Sequence, residues 1–75
     1  MSPKAHADQY RIFLSRLRQA RKESGLTQEQ VATLLAKPQS FVSKCESGER
    51  RIDVVELLVF ARIYDKQISF FTSNL

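Results

Sequence analysis

Short polar side chains occupy most of the segment between Pro38 and Gly48, and their chemistry suits hydrogen bonding to the edges of nucleic-acid bases. A glutamine amide such as that of Gln39 can bond adenine at N6 and N7 together, and serine or lysine can reach other base edges. Only Val42 and Cys45 have the spacing and character of core residues here. The outward positions are therefore available to a partner, and they are Gln39, Ser40, Ser43 and Lys44. An ordinary solvated helix face is the alternative interpretation.

Two arginines follow this segment, and the whole chain is basic. Arg50 and Arg51 lie just beyond Gly48, where guanidinium groups can neutralise DNA phosphates and release their counterions. Twelve Lys and Arg against eight Asp and Glu give a formal net charge of +4, which suits a polyanionic partner. A solvated surface loop is the alternative interpretation of the two arginines.

The small inventory of reactive side chains argues against an enzyme. The chain has one His, one Cys and no glycine-rich phosphate loop, so no nucleophile and base, and no set of metal ligands, can be recognised. We therefore predict no cofactor, no metal and no small-molecule ligand. Because Cys45 is the single cysteine, the chain cannot form an internal disulfide. A buried thiol is more often an inert small hydrophobe than a redox sensor.

The composition also bears on where the chain works and how it is divided. No segment approaches the roughly 18 apolar residues of a membrane span, and the start has no apolar signal region. We expect a soluble cytoplasmic protein without a membrane partner. Residues 1–75 have room for a single domain with a thin core. A first helix is expected over Asp8–Ser24 with Asp8 as its N-cap and Gly25 as its stop, after an N-terminal tail of residues 1–7.

Two short helices are predicted next, joined by a tight turn. Thr27 and Gln30 have the spacing of a capping box, which opens a helix of about nine residues that ends before Pro38. Its expected buried stripe consists of Val31, Leu34 and Leu35. The third helix is predicted over Gln39–Ser47, with Gly48 as its C-terminal stop.

The last third of the chain predicts two more helices. Asp53 and Glu56 again have capping-box spacing, so a fourth helix should begin there and run to about Tyr64. A short fifth helix is expected over Gln67–Ser73, with the apolar residues Ile68, Phe70 and Phe71. The sequence therefore predicts an all-α fold.

The order and spacing of these elements resemble the phage-repressor and Cro-type (XRE-like) helix-turn-helix proteins. The resemblance extends from about Phe13 to Phe71. The segments that match the family's pattern are Arg16–Arg21, Gly25–Ala32, Gln39–Lys44, Glu46–Arg51 and Leu57–Leu58. It implies a compact five-helix repressor-like domain whose second and third helices form the helix-turn-helix. It also implies a sequence-specific transcriptional regulator that binds operator DNA through the recognition helix Gln39–Ser47 in the major groove.

The resemblance assigns DNA-contacting roles to individual side chains. Gln28 matches a glutamine that touches a DNA phosphate and braces the first residue of the recognition helix, here Gln39. Gln39 and Ser40 match base-edge readers, and Ser43 and Lys44 match the next outward turn. With Phe41 from the same motif and the two arginines, the implied interface is Gln28, Gln39, Ser40, Phe41, Ser43, Lys44, Arg50 and Arg51.

The resemblance also implies a structural ion pair, and this sequence differs from the family's pattern at two positions. Arg21 and Glu46 occupy positions that in many relatives form a largely buried pair between the first and third helices. Ala36 stands where relatives often have a turn glycine, so strain is expected, because left-handed backbone costs a non-glycine residue about 1–2 kcal/mol. Cys45 stands where relatives prefer a larger hydrophobe, which should loosen the packing of the recognition helix.

The fourth helix is apolar almost all round, which predicts a homodimer. Its core stripe is expected to be Val54, Leu57, Leu58, Ala61 and Tyr64. The remaining apolar surface forms the predicted interface, comprising Val55, Val59, Ile63, Phe70 and Phe71. A two-fold dimer would place two recognition helices about 34 Å apart on a pseudo-palindromic operator. The alternative is that the fifth helix and the N-terminal segment cover this surface.

Several functional classes share a domain of this form. Small repressors, controller proteins of restriction-modification systems and some antitoxins all fit, and repression and activation are equally open. The alternative from another class is an antitoxin-like or adaptor module that uses the same fold to bind a second protein. Salt-sensitive binding to DNA distinguishes the two classes, because only a protein that neutralises phosphates loses affinity steeply with salt.

Overall fold

Five helices make up the computed structural model, which describes residues 3–75 and the side chains from residue 6 onward. Their bounds are Pro3–Glu23 for α1, Gln28–Leu35 for α2, Gln39–Ser47 for α3, Val54–Ile63 for α4 and Ile68–Thr72 for α5. The described residues contain no strand, so the predicted all-α fold is confirmed. Within them, no helix combines the length and the apolar character that crossing a membrane requires.

One core is shared by all five helices. Each helix contributes at least one side chain that is no more than 1% exposed. In chain order, these include Leu17, Val31, Val42, Phe60 and Phe71. Burying a side chain of this size contributes roughly 1.5–3 kcal/mol, so the helices depend on the same few contacts for their association.

Helix α1 begins earlier than the sequence predicted. Its first residue is Pro3, a position where proline costs no hydrogen bond because the first helical N–H groups have no partner. The predicted tail of residues 1–7 is therefore wrong for residues 3–7, and Met1 and Ser2 lie outside the described residues. Asp8 is not the N-cap but pairs with Arg11 inside the helix. Apolar periodicity starts only after residue 9, so it could not reveal the first turns.

Helix α2 opens with the predicted capping box and is eight residues long. The Gln30 N–H donates to Thr27 Oγ1 at 3.1 Å, and the Thr27 N–H donates to Gln30 Oε1 at 2.9 Å. The buried residues of α2 are Val31 and Ala32. The prediction that Leu34 is buried was wrong, because its side chain is 63% exposed.

The turn between α2 and α3 contains the expected strained residue. Ala36 adopts the left-handed conformation at φ +56°. Its N–H donates to Thr33 O at 3.1 Å, and the Lys37 N–H donates to Ala32 O at 2.9 Å. This is the bonding pattern that usually has glycine at the left-handed position. The chain makes the same turn with glycine at the end of α1, where Gly25 has φ +72°.

Helix α3 has the predicted bounds, and Gly48 ends it at φ +84°. A Cβ atom on Gly48 would lie 2.9 Å from Leu14 Cδ1, so a larger residue there would also require the Leu14 side chain of α1 to shift. Helix α4 opens with the second predicted capping box: the Glu56 N–H donates to Asp53 Oδ1 at 2.8 Å. The segment that connects α3 to α4 therefore begins at a glycine stop and ends at a capping box, and both features are local in the sequence.

Burial in α4 and α5 differs from the prediction. Phe60, which belonged to neither predicted stripe, is in the core, whereas Val54 and Leu58 are exposed. Phe71 is fully buried, so it cannot belong to the predicted dimer interface. Contact with the ring of Phe13 in α1 accounts for its burial, with ring centroids 6.4 Å apart. The other predicted interface residues divide into exposed Val55 and Val59 and half-buried Ile63 and Phe70.

The strained turn gives a direct prediction for stability. We expect Ala36→Gly to raise the free energy of unfolding by about 0.5–1 kcal/mol, because the gain from removing left-handed strain exceeds the added entropy of the unfolded chain. Gly25→Ala is the matched control. Nothing lies within 4 Å of a Cβ at Gly25, so this substitution should cost about 1 kcal/mol through backbone strain alone. Urea unfolding measures both, and a destabilised Ala36→Gly variant would contradict the prediction.

Candidate nucleic-acid interface

One face of α3 is polar and open to solvent. Four residues of the predicted DNA interface lie on it, and all of them are exposed: Gln39, Ser40, Ser43 and Lys44. The opposite face is buried through Val42, Cys45 and Glu46. Helical spacing explains the separation, because residues three and four apart share a face. The structure therefore presents these four side chains together, and we call this set the outer face of α3.

A buried ion pair holds α3 against α1. Arg21 Nε donates to Glu46 Oε2 at 2.6 Å, and Arg21 Nη2 donates to Glu46 Oε1 at 3.1 Å. The side chains are only 14% and 3% exposed. The hydrogen bond from Arg21 to Glu46 raises the pKa of the guanidinium, against the opposing effect of burial. The pair implied by the family resemblance is thus present, with bidentate geometry.

Two further hydrogen bonds from arginine side chains fix the surroundings of this ion pair. Arg21 Nη1 donates to Leu26 O at 3.0 Å, which ties the loop between α1 and α2 to the same guanidinium. Arg18 Nη1 donates to Glu46 O at 2.9 Å. No sequence signal indicated this contact of Arg18, because a hydrogen bond to a carbonyl 28 residues away leaves no local pattern.

Gln28 joins the ion pair and does not brace Gln39, the contact within the protein that the resemblance implied. Its Nε2 donates to Glu46 Oε1 at 3.1 Å, and no hydrogen bond between Gln28 and Gln39 occurs among the described residues. The physical reason is that the buried carboxylate of Glu46 is charged, and each hydrogen bond that it accepts stabilises this charge. Gln28 and Gln39 nevertheless line one open cleft between the starts of α2 and α3.

Phe41 is placed differently from the outer face of α3. Its ring is half-buried and packs against the core. Lys37 Nζ lies 5.5 Å from the ring centroid, and Arg50 Cζ lies 4.6 Å from it. Two cations near one aromatic ring are attracted by its π electrons. The ring therefore supports neighbouring cations, and Phe41 does not project outward with the four polar residues.

Arg50 and Arg51 also occupy different environments. Arg50 Nη1 and Nη2 donate to the two carboxylate oxygens of Glu56 at 3.0 and 2.7 Å. This bond lowers the pKa of Glu56 and raises that of Arg50. Arg51 is exposed, with its guanidinium carbon 4.4 Å from the centroid of the Tyr10 ring. The Arg50 charge is thus neutralised internally, whereas Arg51 presents its charge to solvent.

The environment of Cys45 in α3 does not favour a reactive thiol. Cys45 is fully buried, and burial raises the pKa of its thiol, with Arg50 opposing the shift. The thiol is therefore protonated at neutral pH and suits packing rather than redox chemistry. Among the side chains that the structure describes, no group of three or more His, Cys, Asp or Glu residues is arranged to hold a metal ion.

Comparison with known proteins agrees with this geometry. A family model for a helix-turn-helix domain matches residues 12–66, which include α2, the turn, α3 and α4. Among solved structures, the chain is similar to an XRE-family like protein from Pseudomonas syringae pv. tomato str. DC3000. The two are 42% identical, the match covers 85% of this chain and 80% of the other, and the TM-score is 0.79. A comparison with curated proteins gives no match.

The buried ion pair gives a second prediction. We expect Arg21→Met to lower the free energy of unfolding by about 3–5 kcal/mol, because it leaves the buried Glu46 carboxylate without its cation. Adding Glu46→Leu should restore part of this loss by removing the stranded charge. Asp8→Ala is the control: it breaks the exposed pair with Arg11, which should change stability by about 0.5 kcal/mol at most. Urea unfolding is the measurement, and costs of Arg21→Met and Glu46→Leu that simply add would contradict the coupling.

Proposed function

Because this chain belongs to the XRE-like helix-turn-helix family, we propose that it is a sequence-specific regulator that binds operator DNA with α3 in the major groove. Members of this family are DNA-binding regulators and are typically non-enzymatic, and the proposal involves no catalytic step. The observation that carries it is the outer face of α3: four exposed polar side chains on a helix whose other face is buried through Val42, Cys45 and Glu46.

The dimensions of α3 support major-groove binding. An α-helix with its side chains is about 10–12 Å across, and the major groove is about 12 Å wide, so α3 with its nine residues can lie in the groove. In this proposal, Gln39 and Ser40 read base edges at the start of the helix. Ser43 and Lys44 extend the contact by one turn, with Lys44 directed to guanine or to a phosphate. Each good bidentate contact discriminates by about 1–3 kcal/mol against the wrong base.

Backbone contacts flank the base readers in the proposal. Arg51 is the main phosphate ligand, which its exposure and the net charge of +4 support. Gln28 contacts a phosphate from the start of α2, where helix N–H groups favour an anion. Arg50, held by Glu56, acts on the position of the loop rather than as a free phosphate ligand, and Phe41 supports its guanidinium.

A homodimer completes the proposal. Val55, Leu58 and Val59 are 68%, 39% and 37% exposed on neighbouring turns of α4, and we call them the apolar face of α4. Such a patch favours association, and two-fold symmetry is the commonest closed arrangement. Half-buried Ile63 and Phe70 lie further along the C-terminal third. Two copies of α3 about 34 Å apart would then read a pseudo-palindrome.

Occupation of such an operator would repress a promoter that overlaps it. The protein would act in the cytoplasm, where chromosomal DNA is accessible and where the free thiol of Cys45 stays reduced.

The proposed base readout is tested by selecting bound sequences from random duplexes and then comparing variants on the selected operator. We expect Gln39→Ala and Ser40→Ala each to weaken operator binding by about 1–3 kcal/mol and to leave random-duplex binding nearly unchanged. Arg51→Ala is the contrasting variant, because it should weaken both and reduce the salt slope by about one unit.

Two outcomes would count against this assignment. If Gln39→Ala and Ser40→Ala bound operator and random DNA like the wild type, the outer face of α3 would not be the reading surface. If the wild-type protein bound no duplex at low salt, the adaptor alternative would be favoured over DNA binding.

The proposed dimer is tested by sedimentation equilibrium at micromolar concentration. We expect the wild type to sediment as a dimer and Val59→Glu to sediment as a monomer with weakened operator affinity, because a buried unpaired carboxylate opposes association. Ile12→Glu is the matched control, since Ile12 is a comparable apolar side chain, 44% exposed on α1, and this variant should remain dimeric. A monomeric wild type would contradict the interface.

A further inference from the structure

We propose that Glu56 weakens the sequence-independent part of DNA binding by holding the Arg50 guanidinium in an ion pair that competes with DNA phosphates. This inference rests on the proposed function, since it concerns the phosphate contacts that accompany DNA binding. The residues that carry it are not on the outer face of α3. They lie beside it, where the chain leaves α3 and enters α4.

The guanidinium of Arg50 is held from several directions. It makes two parallel hydrogen bonds to Glu56, at 3.0 and 2.7 Å. Its Nη1 also donates to Arg51 O at 3.0 Å, and its Cζ lies 4.6 Å from the centroid of the Phe41 ring. The side chain is still 42% exposed. A phosphate could therefore reach Arg50, but only in competition with a carboxylate that is already in place.

The carboxylate of Glu56 is itself held in place. Its Oε1 accepts a hydrogen bond from the Asp53 N–H at 3.0 Å, as part of the capping box that opens α4. Its side chain is only 26% exposed. The hydrogen bonds from Arg50 and Asp53 lower the pKa of Glu56, so the carboxylate is charged at neutral pH. Because the cap fixes Glu56, little further side-chain freedom is lost when Arg50 binds to it.

The position of the pair decides its effect on DNA binding. Arg50 follows α3 by three residues, next to Arg51, the proposed phosphate ligand. A free guanidinium there would add a phosphate contact of equal strength on every sequence. Such a contact would raise the affinity for operator and random DNA alike, and it would make both affinities fall more steeply with salt. Pairing Arg50 with Glu56 withholds that contact and leaves Gln39 and Ser40 unaffected.

The experiment compares Glu56→Gln with Glu49→Gln on a random-sequence duplex of roughly three helical turns. Both variants remove one negative charge near α3, and Glu49 is exposed and forms no side-chain ion pair with the part of the chain that the structure describes. Glutamine keeps the acceptor that the capping box requires, and circular dichroism checks that both variants fold. If Glu56→Gln frees Arg50, its salt slope should be steeper than that of Glu49→Gln by about 0.9, so affinity falls roughly threefold more between about 50 and about 200 mM salt.

An Arg50→Gln background shows whether Arg50 is the cause. There, Glu56→Gln and Glu49→Gln should give equal slopes, because no guanidinium remains to be released. Equal slopes in the wild-type background, or a steeper Glu56→Gln slope that persists without Arg50, would overturn the role of Glu56 and leave the proposed function standing. A wild-type protein that binds no duplex at all would instead overturn the proposed function, and this inference with it.

Discussion

The ion pair of Arg21 and Glu46 is the contact on which the position of the recognition helix depends. It joins α1 to α3, and Gln28 brings α2 to the same carboxylate at 3.1 Å. A buried pair of this kind adds little net stability, because both charges lose their water, but leaving either without the other is costly. Its main effect is therefore geometric. Arrangements that separate the two charges are penalised, and the arrangement that remains leaves the outer face of α3 in solvent.

A thin core makes this contact more important. The chain has 75 residues, and a chain of that size has a small core, so each additional contact between helices supplies a larger share of the total stability. Helix ends compensate through local hydrogen bonding. Both α2 and α4 begin with capping boxes, and α1, α2 and α4 are each followed by a left-handed residue, namely Gly25, Ala36 and Asp65. Short helices with fixed ends can then meet at one buried pair.

Features encoded by neighbouring residues could be predicted from the sequence. The bounds of α3 follow from Pro38 and Gly48 beside its two ends, and both capping boxes follow from residues three apart, so local rules suffice for them. Contacts between distant residues could not be predicted from such rules. Gln28 bonds to Glu46, Arg50 pairs with a residue recognised only as a cap, and Phe71 is buried because α1 passes over it. The start of α1 also escaped prediction, because its first turns have no apolar periodicity.

In the proposed function, the outer face of α3, positioned by the buried pair, is the surface that meets DNA. An NMR titration of the isotope-labelled protein with its selected operator duplex tests this most directly, because it maps contacts without altering any residue. We expect the largest chemical-shift changes on the backbone and side-chain amides of residues 39–44 and on Arg51. Changes confined to α4 and α5, with residues 39–44 unaffected, would contradict it.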